Sequence, residues 1–167
     1  MRRPVIIAGG VVVLLALALM ALRSFGPLYL GRYDVASVDE LKKQWLRDKT
    51  NLGPLHDLAR RAQSSVLLTK VNALATFRVL AEREGNSVST NFLAVALPTL
   101  TGALNHSDQS VLREALFGLK ALGGNAAPAQ TAVRNLFKSP DHFVREAATN
   151  CLRNISPVGV NSASMNR

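Results

Sequence analysis

Apolar residues recur along the second half of the chain at spacings of four, four and three. One set is Val111, Ala115, Leu119 and Leu122; a second is Val144, Ala148, Leu152 and Ile155, each 33 residues further on. That spacing keeps one face of an α-helix continuously apolar, so each set predicts an amphipathic helix, over 108–122 and 141–155. Upstream, Leu100 and Leu104 correspond to Val133 and Phe137 at the same offset, which predicts a preceding helix in each case, over 88–104 and 126–138. The unit that recurs is a helix, a tight turn and a second helix.

Two further helices are predicted earlier. Pro54 suits a first turn, and Leu55, Leu58, Ala59 and Ala62 share a face, until Ser64-Ser65 interrupts the pattern. A longer helix then runs from Val66 to Glu84 and stops at Gly85-Asn86. Aligning Val71, Ala75 and Val79 with Val111, Ala115 and Leu119 gives an offset of 40 and a divergent first unit over 54–84. Ahead of it, Ser37-Val38-Asp39-Glu40 has the form of a capping box, and Leu41 and Trp45 give a short leading helix its apolar face. Ser107 is the expected N-cap of the 108–122 helix. In the last pair Ser139 is the expected cap, with Pro140 at the first helical position.

The pattern apolar-x-x-Leu, a turn ending in Asp, then Val-x-x-x-Ala-x-x-x-Leu-x-x-Ile/Leu resembles the short form of the HEAT repeat. Val144-Arg145-Glu146-Ala147-Ala148 is its nearest match, and Leu97-Pro98-Thr99-Leu100 is similar to the proline-bearing first helix of that family. The resemblance covers 97–155 well and the region before it loosely. It implies an all-α fold, a short solenoid of about three helical hairpins, with the second helices lining the binding face. Three pairs are about the number such a stack needs, because no pair buries its apolar face alone.

Val5 to Leu22 changes the picture of the amino-terminal part. These 18 residues carry no polar side chain and would reach roughly 27 Å as a helix, close to the hydrocarbon thickness of a bilayer. They read as an uncleaved membrane anchor, with a cleaved signal ending near Ala16-Leu17-Ala18 as the alternative. The expected organisation is therefore an anchor over 1–23, a linker over 24–36, the helical domain over 37–156 and a disordered tail over 157–167. The amino terminus, Arg2 and Arg3 outnumber Arg23 and Arg32 across the segment, which favours a single-pass protein with its domain outside the cytoplasm.

The formal charge is +9, and without Arg2, Arg3 and Arg23 there remain 17 basic against 11 acidic side chains. Such a surface can attract an acidic protein, anionic lipid or nucleic acid. Lys120 and Arg153 stand 33 apart, at matching places on successive second helices, and Arg113 matches Glu146, a spacing that permits a stacked ion pair there. Lys120, Arg153, Arg113 and Arg145 are the candidate partner-binding residues. For chemistry there is less. His56, His106 and His142 lie at no metal-ligand spacing, the single Cys151 falls on a buried helix face without a histidine beside it, and no nucleophile elbow or phosphate loop occurs.

No catalytic residue, cofactor site or metal site is assigned. The expected function is a membrane-tethered, non-enzymatic module that binds a protein partner. The rival reading is an enzyme of the bilin-lyase type, which the short HEAT units also resemble, or a helical-repeat protein holding nucleic acid on a basic concave face.

Overall fold

The computed structural model describes residues 37–156, so the apolar run Val5–Leu22, the linker 24–36 and the tail 157–167 lie outside the described residues. Residues 37–47 are helical (α1). Six α-helices follow: α2 (Gly53–Ala62), α3 (Leu67–Glu84), α4 (Thr90–Ala103), α5 (Gln109–Leu122), α6 (Gln130–Asn135) and α7 (His142–Ile155). Among the described residues there is no strand, and no helix is long and apolar enough to cross a membrane.

Each helix packs on its chain neighbour in the pairs α2–α3, α4–α5 and α6–α7, and α3, α5 and α7 pack on one another in that order. The core between the pairs is built from Leu55, Leu58, Leu74, Phe77, Leu80, Phe92, Leu100, Leu116, Leu119 and Ile155, all fully buried. Trp45 of α1 closes over this core beside Phe92, with ring centroids 6.1 Å apart, and is itself fully buried. The expected apolar faces of α5 and α7 are the observed ones. Val111, Ala115, Leu119 and Leu122 are buried, and so are Val144, Ala148, Leu152 and Ile155.

The phase of α3 differs from expectation. Its buried residues are Ala73, Leu74, Phe77, Leu80 and Ala81, while Val71, Ala75 and Val79 stay half-exposed. Burial in α3 therefore matches burial in α5 at an offset of 38, not 40. The glycine ends agree: Gly85 and Gly123, also 38 apart, both have φ of 56° and both cap a helix C-terminus. Phe77 decided the phase, because α3 carries apolar residues on both sides and the larger ring fills the interior beside Phe92 (6.1 Å between centroids). Glu84 is the consequence: it occupies the place that Leu122 holds in α5, buried, and meets Lys49 Nζ at 2.6 Å.

Helix starts also differ in detail. Asp108 rather than Ser107 caps α5, its Oδ1 accepting from the Ser110 and Val111 amides at 2.8 and 3.3 Å. Asp141 rather than Ser139 caps α7, accepting from the Val144 amide at 2.8 Å, so Pro140 precedes the helix. An aspartate carboxylate carries full charge against the helix dipole, which a serine hydroxyl does not. Ser37 is already helical where a cap was expected. The expected helix over 126–138 is three short pieces, since Pro128 supplies no donor: 3-10 turns over Gly123–Ala129 and Leu136–Lys138 flank the single α-helical stretch α6. Pro98, by contrast, is held inside α4.

Candidate functional site

The first turns of α3, α5 and α7 come together at one end of the domain. Lys70 and Val111 line one cavity of about 300 Å³, together with Gln63, Thr99, Asn105 and His106. The His106 Nδ1 accepts from the Asp108 amide at 3.0 Å, which fixes that imidazole in the α4–α5 turn. One helix further on, the Arg113 guanidinium stands 5.9 Å from the centroid of Phe143. Lys120, two turns along α5 from Arg113, acts electrostatically on Cys151, two turns along α7 from Phe143. The two helices thus run in the same direction.

This geometry locates the four candidate cations. Lys120 and Arg153 are exposed and form no ion pair among the described residues. Arg113 is exposed too, but its partner is the Phe143 ring and not Glu146. Glu146 lies instead 4.0 Å from His142 Nε2, one turn back on its own helix. Arg145 is half-buried and donates from Nη1 to the carbonyls of Ser139 and Pro140 at 2.8 and 2.9 Å. Its guanidinium braces the α6–α7 turn, whereas the other three point cationic groups at solvent.

Between α3 and α5 lies a further cluster. Arg78 Nε meets Glu114 Oε2 at 3.1 Å, and the same guanidinium stands 6.0 Å from the Phe117 centroid. Beside it runs the outer side of α3. At 100° per residue, Ala75 and Val79 fall opposite Phe77 and form a second, smaller apolar patch directed away from the core, with Leu68 ahead of them at the helix tip, while Val71 beside them packs partly against the core. Reading from α3 to α7, the outer face passes from apolar (Ala75, Val79) through Phe117 to mostly basic (Arg113, Lys120, Arg153), with Glu82 and Glu146 the exposed acids at equivalent positions.

Two elements of this surface have a signal in the sequence. Phe143 stands 33 residues from Ser110, which is exposed, so the repeat places an aromatic at a solvent-facing position. On α3 the spacing of Val71, Ala75 and Val79 is as helical as that of the buried residues, so periodicity alone does not separate the two sides.

Cys151 lies in the α7 core, fully buried. Burial pushes its thiol up to about 12 despite the opposing pull of the Lys120 charge, so the thiolate that nucleophilic chemistry requires is suppressed. Among the described residues no group of three His, Cys, Asp or Glu side chains is placed to hold a metal ion. No protein-family model, no curated protein and no solved structure matches the chain.

Proposed function

We propose that the chain is a membrane-tethered adaptor whose helical pairs are successive HEAT-like units of a short solenoid, and whose outer face binds an acidic, amphipathic segment of another protein. The recurrence of buried positions at an offset of 33 between α5 and α7, and of 38 between α3 and α5, supports the repeat reading. The tether rests on the 18 apolar residues Val5–Leu22.

One observation carries the binding reading: an apolar stripe lies outside the core on α3, next to cations on α5 and α7 that have no carboxylate partner. Apolar side chains at helical spacing that face away from their own core suit a partner helix laid along them. Lys120 and Arg153 beside the stripe favour a partner with acidic residues flanking its apolar face. The reading asks nothing of catalysis. A nucleic acid would use the cations but leave Ala75 and Val79 uncovered, so it accounts for half of the surface.

Photo-crosslinking tests this. A photoreactive residue at Ala75 in the full-length protein should yield a discrete protein adduct in its native membranes. Lys120→Glu with Arg153→Glu should diminish that adduct. Absence of any adduct from Ala75, where the same residue at exposed Gln109 gives one, would displace the stripe as the binding face.

A further inference from the structure

The described residues expose four large hydrophobic side chains: Val66 (57%), Leu67 (44%), Leu68 (52%) and Phe143 (62%). All four stand at the starts of second helices, Val66 to Leu68 at α3 and Phe143 at α7, and those starts lie at the same end of the domain. α3 begins a full turn earlier relative to its core than α5 does, so its apolar triplet projects from a helix tip and lines no groove.

The charges at this end are uneven. Of its acids, Asp108 and Asp141 are engaged by helix amides, and Glu146 is exposed, 4.0 Å from His142 Nε2. Lys70, Arg113 and Lys138, at or beside the same helix starts, have no carboxylate within ion-pair distance among the described residues. Separate apolar tips ringed by unpaired cations match a bilayer surface, where apolar side chains sink below the headgroups and cations stay at the level of the phosphates. They match a protein pocket poorly, since a partner would need several holes in fixed register.

We infer that this end of the domain, the first turns of α3, α5 and α7, seats on an anionic bilayer surface through Val66, Leu67, Leu68 and Phe143. The inference rests on the membrane-tether reading. Between Leu22 and Ser37 lie 14 residues, whose fully extended reach is at most about 50 Å. The tether therefore holds the domain within a few nanometres of the bilayer, where weak insertion of a few side chains suffices to orient it. With this end on lipid, Lys120 and Arg153, near the other ends of their helices, remain free for a protein.

The test uses the full chain reconstituted into vesicles of zwitterionic and anionic lipid. An environment-sensitive fluorophore is attached at Leu67→Cys, at Phe143→Cys and, as the control, at Gly124→Cys beyond the far end of α5; the buried Cys151 is shielded from labelling. Lipids carrying a shallow quencher should quench positions 67 and 143 at least about twofold more than position 124, as expected for interfacial side chains. The difference should shrink when the anionic lipid is omitted. Equal quenching at all three positions overturns the inference. A blue-shifted probe at position 67 that lipid does not quench also overturns it, in favour of protein contact between copies. If the tether reading itself is wrong, the chain will fail to float with the vesicles after carbonate extraction, which is a separate and earlier failure.

Discussion

Gly118 approaches Leu100 so closely that a Cβ on the glycine would lie 2.7 Å from Leu100 Cδ2. This contact joins α5 to α4, and Leu100 is fully buried, so it has no solvent to retreat into. The position equivalent to Gly118 is Cys151 in α7 and Leu80 in α3, both buried. Glycine is costly inside a helix, and here its small size lets the first helix of the pair come near. Gly118→Ala gains helix propensity but overpacks the α4–α5 contact, and should destabilise the domain by about 1–3 kcal/mol in chemical denaturation. A stabilised Gly118→Ala protein would mean that Leu100 can repack.

Leu119 and Leu152 provide the test of helical phase. Both are buried at equivalent positions, so Leu119→Ala and Leu152→Ala should each cost about 2–5 kcal/mol. Ser110→Ala, at an exposed position of the first turn of α5, should change stability by about 0.5 kcal/mol or less. Urea midpoints of the three variants suffice to compare them.

Glu84 and Lys49 offer a prediction of opposite signs. Glu84 is buried in the position that Leu122 fills in α5, and Lys49 Nζ at 2.6 Å compensates its charge from the half-exposed side. Lys49→Ala leaves the carboxylate without its cation and should destabilise by about 1–3 kcal/mol. Glu84→Leu removes the buried charge and continues the apolar pattern, so it should be neutral or stabilising. If thermal melts show both variants losing stability equally, the pair contributes more than its desolvation costs.

The physical reasons for what could be read are specific. In α5 and α7 only one side is apolar, so periodicity alone fixed which residues go inside. In α3 two sides are apolar, and the choice fell to shape: Phe77 fits the interior beside Phe92, and Val71, Ala75 and Val79 do not compete with it. No single-helix pattern contains that information. Each capping aspartate has a serine close before it in the turn, and by residue type either can cap a helix. Of the candidate cations, Lys120 and Arg153 are exposed at equivalent helix positions. Arg145 turned back onto the carbonyls of Ser139 and Pro140, just ahead of a cap that lies at Asp141, two residues later than expected. The Arg113–Phe143 contact required knowing that the two first turns are neighbours in space.

Cys151 yields a prediction from its environment. Burial raises its thiol to about 12, so at ordinary pH the native state holds it protonated and shielded. Because the folded pKa lies above the unfolded value, the protonated thiol favours the folded state below the unfolded pKa, and this contribution fades as pH rises toward 12. A thiol reagent at pH 8 should therefore react slowly with the native protein, at the rate of opening, and promptly in denaturant. Rapid native-state labelling would show that α7 separates from α5 far more readily than its buried face implies.

The last prediction concerns Lys120 and Arg153. Both are exposed and stand at equivalent places on adjacent helices, whose axes in such packing lie roughly 8–10 Å apart. Two unit charges at that distance repel by about half a kcal/mol in water, and by less in salt. The arrangement thus costs the fold little, and replacing both residues by Glu should leave the melting temperature nearly unchanged. Binding is different. An acidic partner that meets attraction from both cations would meet repulsion from both replacements, and the change falls mainly on the rate of association. The double variant should therefore bind the partner crosslinked from Ala75 more weakly at low ionic strength, with the deficit shrinking as salt is added. Ala75→Glu should weaken binding at every salt concentration, because it interrupts apolar contact as well as adding charge. Unaltered low-salt binding by the double variant, alongside a defect in Ala75→Glu, would leave the α3 stripe as the docking site and the two cations as solubilising charges.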